Sequence, residues 1–222
     1  MTRGPLALVG GNEWQERCTF DTQLWADSGA NEVLVLPTAA AYEHPERAVA
    51  QAEQHFASFG AKATGLMVLR RTDAVSEANA AAVRASRFIY LSGGSPMHVR
   101  SVLKDSLVWQ ALVEAHEGGA VLAASSAGAM VLCDPMVDPR GGAFTLGLGL
   151  VSQLALIPHH DTWSEEKAKR TIHLAPRDVP IVAIDTQTAV LRHPDGSWRV
   201  EGAGTAVVFV NGSEAGLEAL PH

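Results

Sequence analysis

The chain has 222 residues, of which 47% are hydrophobic and 18% charged, and a formal charge of −7. That length suits a single α/β domain over residues 1–222, in which folding buries roughly 70% of the unfolded chain's surface without covalent staples. The acidic balance argues against nucleic acid as a main partner, since phosphate binding calls for clustered Lys and Arg, and no apolar run reaches the roughly 18 residues of a membrane span.

The start, Met1-Thr2-Arg3-Gly4-Pro5, carries no signal-peptide pattern, and a cytoplasmic location is the expectation. It runs directly into an apolar segment, Leu6 to Val9. Further strand-like runs follow at Glu32 to Leu36, Thr64 to Leu69, Arg87 to Leu91 and Ala120 to Ala124. Between them, helical spacing appears at Pro45 to Phe59, Ser76 to Ala85 and Leu107 to Glu117. Strands alternating with helices of this length predict βαβ units around a mainly parallel sheet. The strands are apolar on both sides, as expected for burial under helices on each face. The last third differs. Ile181 to Ile184, Ala189 to Arg192, Trp198 to Val200 and Ala206 to Val210 follow one another closely, with Asp195-Gly196 as a hairpin turn. They predict an antiparallel extension at the C-terminus.

The sharpest chemical signal is Ala124-Ser125-Ser126-Ala127-Gly128-Ala129, where a buried strand meets small residues and then a helix. This is the pattern of a nucleophile elbow, usually G-x-S-x-G, with Ala124 in place of the first glycine. Its turn would present the Ser126 hydroxyl at the carboxyl end of the sheet, where open α/β sheets bind ligands. The same serines would also serve as a plain helix cap.

A second strand-to-helix junction, Ser92-Gly93-Gly94-Ser95-Pro96, offers backbone amides that with Ala127 could receive negative charge from a substrate. Among nine histidines, His159 stands out because it ends the apolar run Leu154-Ala155-Leu156-Ile157-Pro158, after Ser126 in the chain. Asp134, Asp138 and Asp161 could each orient its imidazole. Asp134 and Asp138 each precede proline and would serve equally well in turns. The two cysteines, Cys18 and Cys133, form neither a disulfide framework nor a metal spacing, and neither a metal nor another cofactor is expected.

At Gly10-Gly11-Asn12, Gly93-Gly94, Ser125-Ser126-Ala127-Gly128-Ala129 and Pro158-His159, the chain resembles the peptidase E (aspartyl dipeptidase) and cyanophycinase family of serine peptidases. Gly147-Leu148-Gly149-Leu150 and Ala183-Ile184-Asp185-Thr186-Gln187-Thr188-Ala189 are similar to further segments of that family. The resemblance implies a fold related to class I glutamine amidotransferases, with Ser126 as nucleophile, His159 as base, and Gly94 and Ala127 as oxyanion donors. It favours Asp134 as the acid, from Asp134-Pro135-Met136, over Asp138 and Asp161. In the helix after the histidine, Lys167 and Arg170 stand where the family carries R-x-x-R. Lys167 keeps the charge that would hold a substrate carboxylate but loses the two-pronged grip of arginine.

The implied activity is hydrolysis of small peptides, dipeptides with acidic N-terminal residues among them. Cyanophycinase-like or amidotransferase-like hydrolysis and a non-catalytic binding protein are the alternatives. A homo-oligomer is compatible with the sequence.

Overall fold

The structure is a computed structural model that describes residues 3–222. Its centre is a seven-stranded sheet in the order Trp198–Gly202, Thr188–Arg192, Leu6–Val9, Val121–Ser125, Phe88–Leu91, Val33–Leu36, Ala63–Gly65. The last five in that order run parallel, and the first two add an antiparallel edge. Successive side chains of a strand point to opposite faces, and here the two faces feed two separate cores. Leu6, Leu8, Leu34, Leu36, Ile89, Leu91, Leu122 and Ala124 enter one. Ala7, Val9, Val33, Val35, Phe88, Tyr90, Val121 and Ala123 enter the other. A helix-covered parallel sheet therefore explains why these strands are apolar throughout.

The helices follow from equally local causes. Proline opens Pro45–Ala57, whose Val49, Ala52 and Phe56 form the buried stripe at helical spacing. Phe56 is fully buried among Phe88, Tyr90 and Phe59, and truncating such a side chain costs about 3–5 kcal/mol. The side chain of Ser106 caps Leu107–Glu117 by accepting from the Trp109 amide at 3.1 Å. Ser95 caps Pro96–Leu103 in the same way.

Two expectations change in detail. Of the run Thr64 to Leu69 only Thr64 and Gly65 join the sheet, in the strand Ala63–Gly65. Beyond it the chain peels away, with the Val68 amide turning back to the Leu66 carbonyl at 2.8 Å and Met67 exposed. The C-terminal strands, expected as one antiparallel extension, are divided between two sheets. Thr188–Arg192 and Trp198–Gly202 join the main sheet as a hairpin turned by Asp195-Gly196. Ile181–Ile184 belongs to a second sheet, parallel to Ala155–Ile157 and antiparallel to Ala206–Val210, with Ser213–Ala215 at its edge. The chain crosses between sheets at residues 185–187. There the Gln187 amide donates to the Gly11 carbonyl at 2.8 Å and the Gly10 amide to the Thr188 carbonyl at 2.8 Å.

Candidate active site

Ser126 follows the fully buried strand Val121–Ser125 and precedes the helix Ala127–Leu132. Its backbone sits at φ 47°, ψ −109°, a region that L residues rarely occupy. Such strain costs on the order of 1–3 kcal/mol and persists only where the surroundings enforce it. Two hydrogen bonds do so. The Ser126 amide donates to the Val9 carbonyl at 2.9 Å, and the Ser126 carbonyl accepts from the Met130 amide at 2.8 Å. The hydroxyl is thereby held off the end of the strand, 3.0 Å from Nε2 of His159.

His159 lies just beyond Ala155–Ile157, in a left-handed conformation at φ 50°, ψ 39°. Its amide donates to the Gly10 carbonyl at 2.7 Å, and its carbonyl accepts from the Thr162 amide and hydroxyl, each at 2.9 Å. The imidazole lies against Gly11, where φ is +123°. A Cβ at that position would stand 2.3 Å from Nε2 and 2.7 Å from Nδ1. Glycine is thus required at residue 11 both for its backbone and for the space the ring fills.

The three candidate acids occupy different surroundings. Asp134, favoured by resemblance, accepts from the Gly147 amide at 3.0 Å and makes no hydrogen bond to His159. It fixes the loop that follows the nucleophile helix. Asp138 forms a two-pronged pair with Arg140 at 2.9 and 2.7 Å, and those hydrogen bonds hold its carboxyl down to about 2. Both are committed to turns. Asp161 accepts from the Thr186 amide at 2.9 Å and the Thr186 hydroxyl at 2.7 Å. Burial pushes its carboxyl up, but the bonds from Thr186 and the nearby His159 outweigh this and keep it below the usual carboxylate range. Of the three, Asp161 is the one whose carboxyl the nearby His159 helps to lower.

Ala127 opens the helix that follows Ser126, and Gly94 immediately precedes Ser95, the cap of Pro96–Leu103. Gly94 has φ +136°, and a Cβ there would meet the Ala39 carbonyl oxygen at 2.3 Å. Neighbouring Gly93 is already engaged, because its amide donates to Oε1 of Glu13 at 2.7 Å. The other oxygen of Glu13, Oε2, accepts from the Ser125 hydroxyl at 2.7 Å. Glu13 therefore ties the glycine turn to the elbow, a role that sequence reasoning missed. The available signal was an acid just after the glycines that end Leu6–Val9, the strand paired with Val121–Ser125.

Lys167 and Arg170 share the helix Glu165–His173 and pack on loop 139–142. The Lys167 ammonium lies 3.5 Å over the Trp163 ring and donates to the Pro139 carbonyl at 3.2 Å. Burial, with a smaller contribution from the Arg170 charge, lowers its pKa. His160 faces Asp185 at 3.6 Å. Cys133 is fully buried at the end of the nucleophile helix, and burial drives its thiol up to about 12. It cannot supply a thiolate near neutral pH. Among the described residues, no group of three or more His, Cys, Asp or Glu side chains is placed to hold a metal ion. No helix among them is long and apolar enough to cross a membrane.

Comparison with known proteins places this geometry. Cyanophycinases of Synechococcus elongatus and Thermosynechococcus vestitus are each 27% identical over 153 residues, covering 64% of this chain and 48% of the relative. The matched stretch is thus about half the length of those relatives. A peptidase from an acI-B1 Actinobacterium has a crystal structure that superposes with a TM-score of 0.86 at 28% identity, covering 96% of this chain and 93% of the other. A putative peptidase E from Listeria monocytogenes EGD-e shares the fold, with a TM-score of 0.69 at 17% identity over 91% of this chain and all of that one. Peptidase family S51 matches residues 6–198, so the chain belongs to that family, the peptidase E and cyanophycinase group its motifs resemble.

Proposed function

We propose that the protein is a serine peptidase that cleaves small peptides, acting as a single domain in the cytoplasm. The observation that carries this reading is the 3.0 Å contact between Ser126 Oγ and His159 Nε2 on a strained strand-to-helix turn. His159 takes the hydroxyl proton as Ser126 attacks the peptide carbonyl, and the resulting oxyanion is received by the Gly94 and Ala127 amides. His159 then returns the proton to the leaving amine. Water, deprotonated by the same imidazole, releases the acid product from the acyl-serine.

Asp161 acts as the third member by its charge rather than by direct contact, with Thr186 donating to each of its oxygens and fixing the carboxylate in place. Lys167 and Arg170 supply positive charge for a substrate carboxylate, which fits a preference for acidic N-terminal residues. The family match and the peptidase from the acI-B1 Actinobacterium support a hydrolytic role.

The test pairs a fluorophosphonate probe with a dipeptide library. Wild type is expected to be labelled and to cleave a subset of dipeptides, acidic ones foremost, while Ser126→Ala keeps its fold and loses both properties. Labelling retained by the variant would remove Ser126 from the mechanism. A wild type inert toward both probe and library would favour a binding role.

A further inference from the structure

At the opposite end of the sheet from Ser126 lies a second concavity of about 320 Å³. Arg192 pairs with Leu6, the first residue of its strand, whereas the nucleophile follows Ser125, paired with Val9. Three residues of strand, ~10 Å at the usual rise per residue, therefore separate the two levels of the sheet. The pocket's inner wall carries Arg192, only 5% exposed, and His116, 1% exposed. Arg3 stands at the mouth, with Trp109 and Leu148 as apolar walls.

The side-chain partner of Arg192 is a histidine rather than an acid. Arg192 Nη2 lies 3.3 Å from His116 Nε2, and His116 Nδ1 lies 3.3 Å from the Ala120 carbonyl. That pattern fits a neutral imidazole that donates from Nδ1 to the carbonyl and accepts from the guanidinium at Nε2. Burial, together with the charges of Arg192 and Arg3, holds His116 down to about 4, so it adds neither positive nor negative charge near neutral pH. The Trp198 ring, 5.7 Å away, offers only a weak cation–π contact. Glu117 and His222 also line the space, yet no acid pairs with Arg192 among the described residues. A buried guanidinium without a counter-charge is costly, and an anion that reaches it relieves that cost. The planar donor fork suits a carboxylate or phosphate in particular.

We propose that this pocket is an anion-binding site, separate from the catalytic site, for a small molecule bearing a carboxylate or phosphate held between Arg192 and Arg3. Leu148, in its wall, donates its amide to the Val131 carbonyl in the nucleophile helix at 2.7 Å, so the site is one hydrogen bond from that helix.

Calorimetry with inorganic phosphate and with succinate, at fixed pH and ionic strength in chloride buffer, tests the assignment on the full chain. Saturable binding of at least one anion is expected. It should weaken about tenfold in Arg192→Lys, which keeps the charge but loses the fork, and should also weaken in Arg3→Ala. The binding that Arg192→Lys weakens should persist in the double variant Lys167→Gln/Arg170→Gln, which separates this pocket from the catalytic side. Preference for phosphate assigns the site to phosphorylated ligands, and preference for succinate to carboxylates. Wild type that binds neither anion, or binding left at full strength by both Arg192→Lys and Arg3→Ala, overturns the proposal. Arg3 is exposed, so its replacement remains informative even where a change at Arg192 disturbs folding.

Discussion

The imidazole of His159 rests on the main chain of Gly11, so closely that a side-chain carbon at residue 11 would stand 2.1 Å from Cε1 of the ring. The base is thus aimed by packing and by its own backbone bond to Gly10, with no carboxylate in direct contact. Gly11→Ala is expected to displace the ring and lower kcat about 100-fold, the scale of a misplacement near 1 Å. Steady-state kinetics beside a melting curve checks this. A variant that melts normally with unchanged kcat would show that the contact does not aim the base.

Glu13 accepts hydrogen bonds from the Gly93 amide and the Ser125 hydroxyl, joining the two helix-opening turns. Glutamine has one acceptor oxygen where glutamate has two, so Glu13→Gln must give up or invert one of these bonds. Hydrogen bonds to a charged group contribute about 1.5–3 kcal/mol. The expected outcome is a lower melting temperature and a kcat reduced about tenfold as the oxyanion donors lose their alignment. Unaltered kcat with a lower melting temperature would assign Glu13 to stability alone.

Asp21 gives a pH prediction away from the site. It is fully buried, with Oδ2 3.0 Å from His55 Nε2 and Oδ1 without a partner. Burial raises its carboxyl to about 6 against the bond from His55, which lowers it. The folded state therefore binds this proton more tightly than the unfolded chain, where the pKa is about 3.9. The contribution to stability is fully present below about pH 4 and is lost as pH rises through about 6. Asp21→Asn should flatten that part of the pH–stability curve and raise stability at pH 7 by on the order of 2 kcal/mol. Denaturant titrations at several pH values read it directly, and parallel curves for the two proteins would refute it.

Cys133 lies seven positions after the nucleophile, and its thiol is held up near 12 by burial. Iodoacetamide should leave peptidase activity intact in the folded protein, and Cys133→Ala should keep kcat while costing about 1 kcal/mol of stability. Inactivation on alkylation, protected by substrate, would reopen a cysteine mechanism.

Much of this was legible because the informative signals are local. A run such as Val121-Leu122-Ala123-Ala124-Ser125 allows little besides a strand buried on both faces, and the small residues after Ser126 suit a turn. What escaped depends on residues that meet only in three dimensions. Glu13, Gly93 and Ser125 come together because their strands share the carboxyl end of one sheet. The choice among Asp134, Asp138 and Asp161 stayed open for the same reason. Asp134 sits where a family motif would put it, yet its bond to Gly147 uses it for a loop, while the crossing between sheets brings Thr186 to Asp161. The split of the C-terminal strands was hidden too, since alternating apolar runs do not say which sheet they join.

The antiparallel edge has a consequence for how the protein is made. Leu6–Val9 lies beside the nucleophile strand, but among the described residues its other flank is paired only by Thr188–Arg192, a segment made much later in synthesis. Until Thr188–Arg192 has been made, an apolar strand at the heart of the emerging sheet has unpaired amides and carbonyls along one side, open to another nascent chain. Slowing synthesis between Val9 and Thr188 should therefore increase aggregation of the newborn protein more than destabilising the finished fold by a comparable amount.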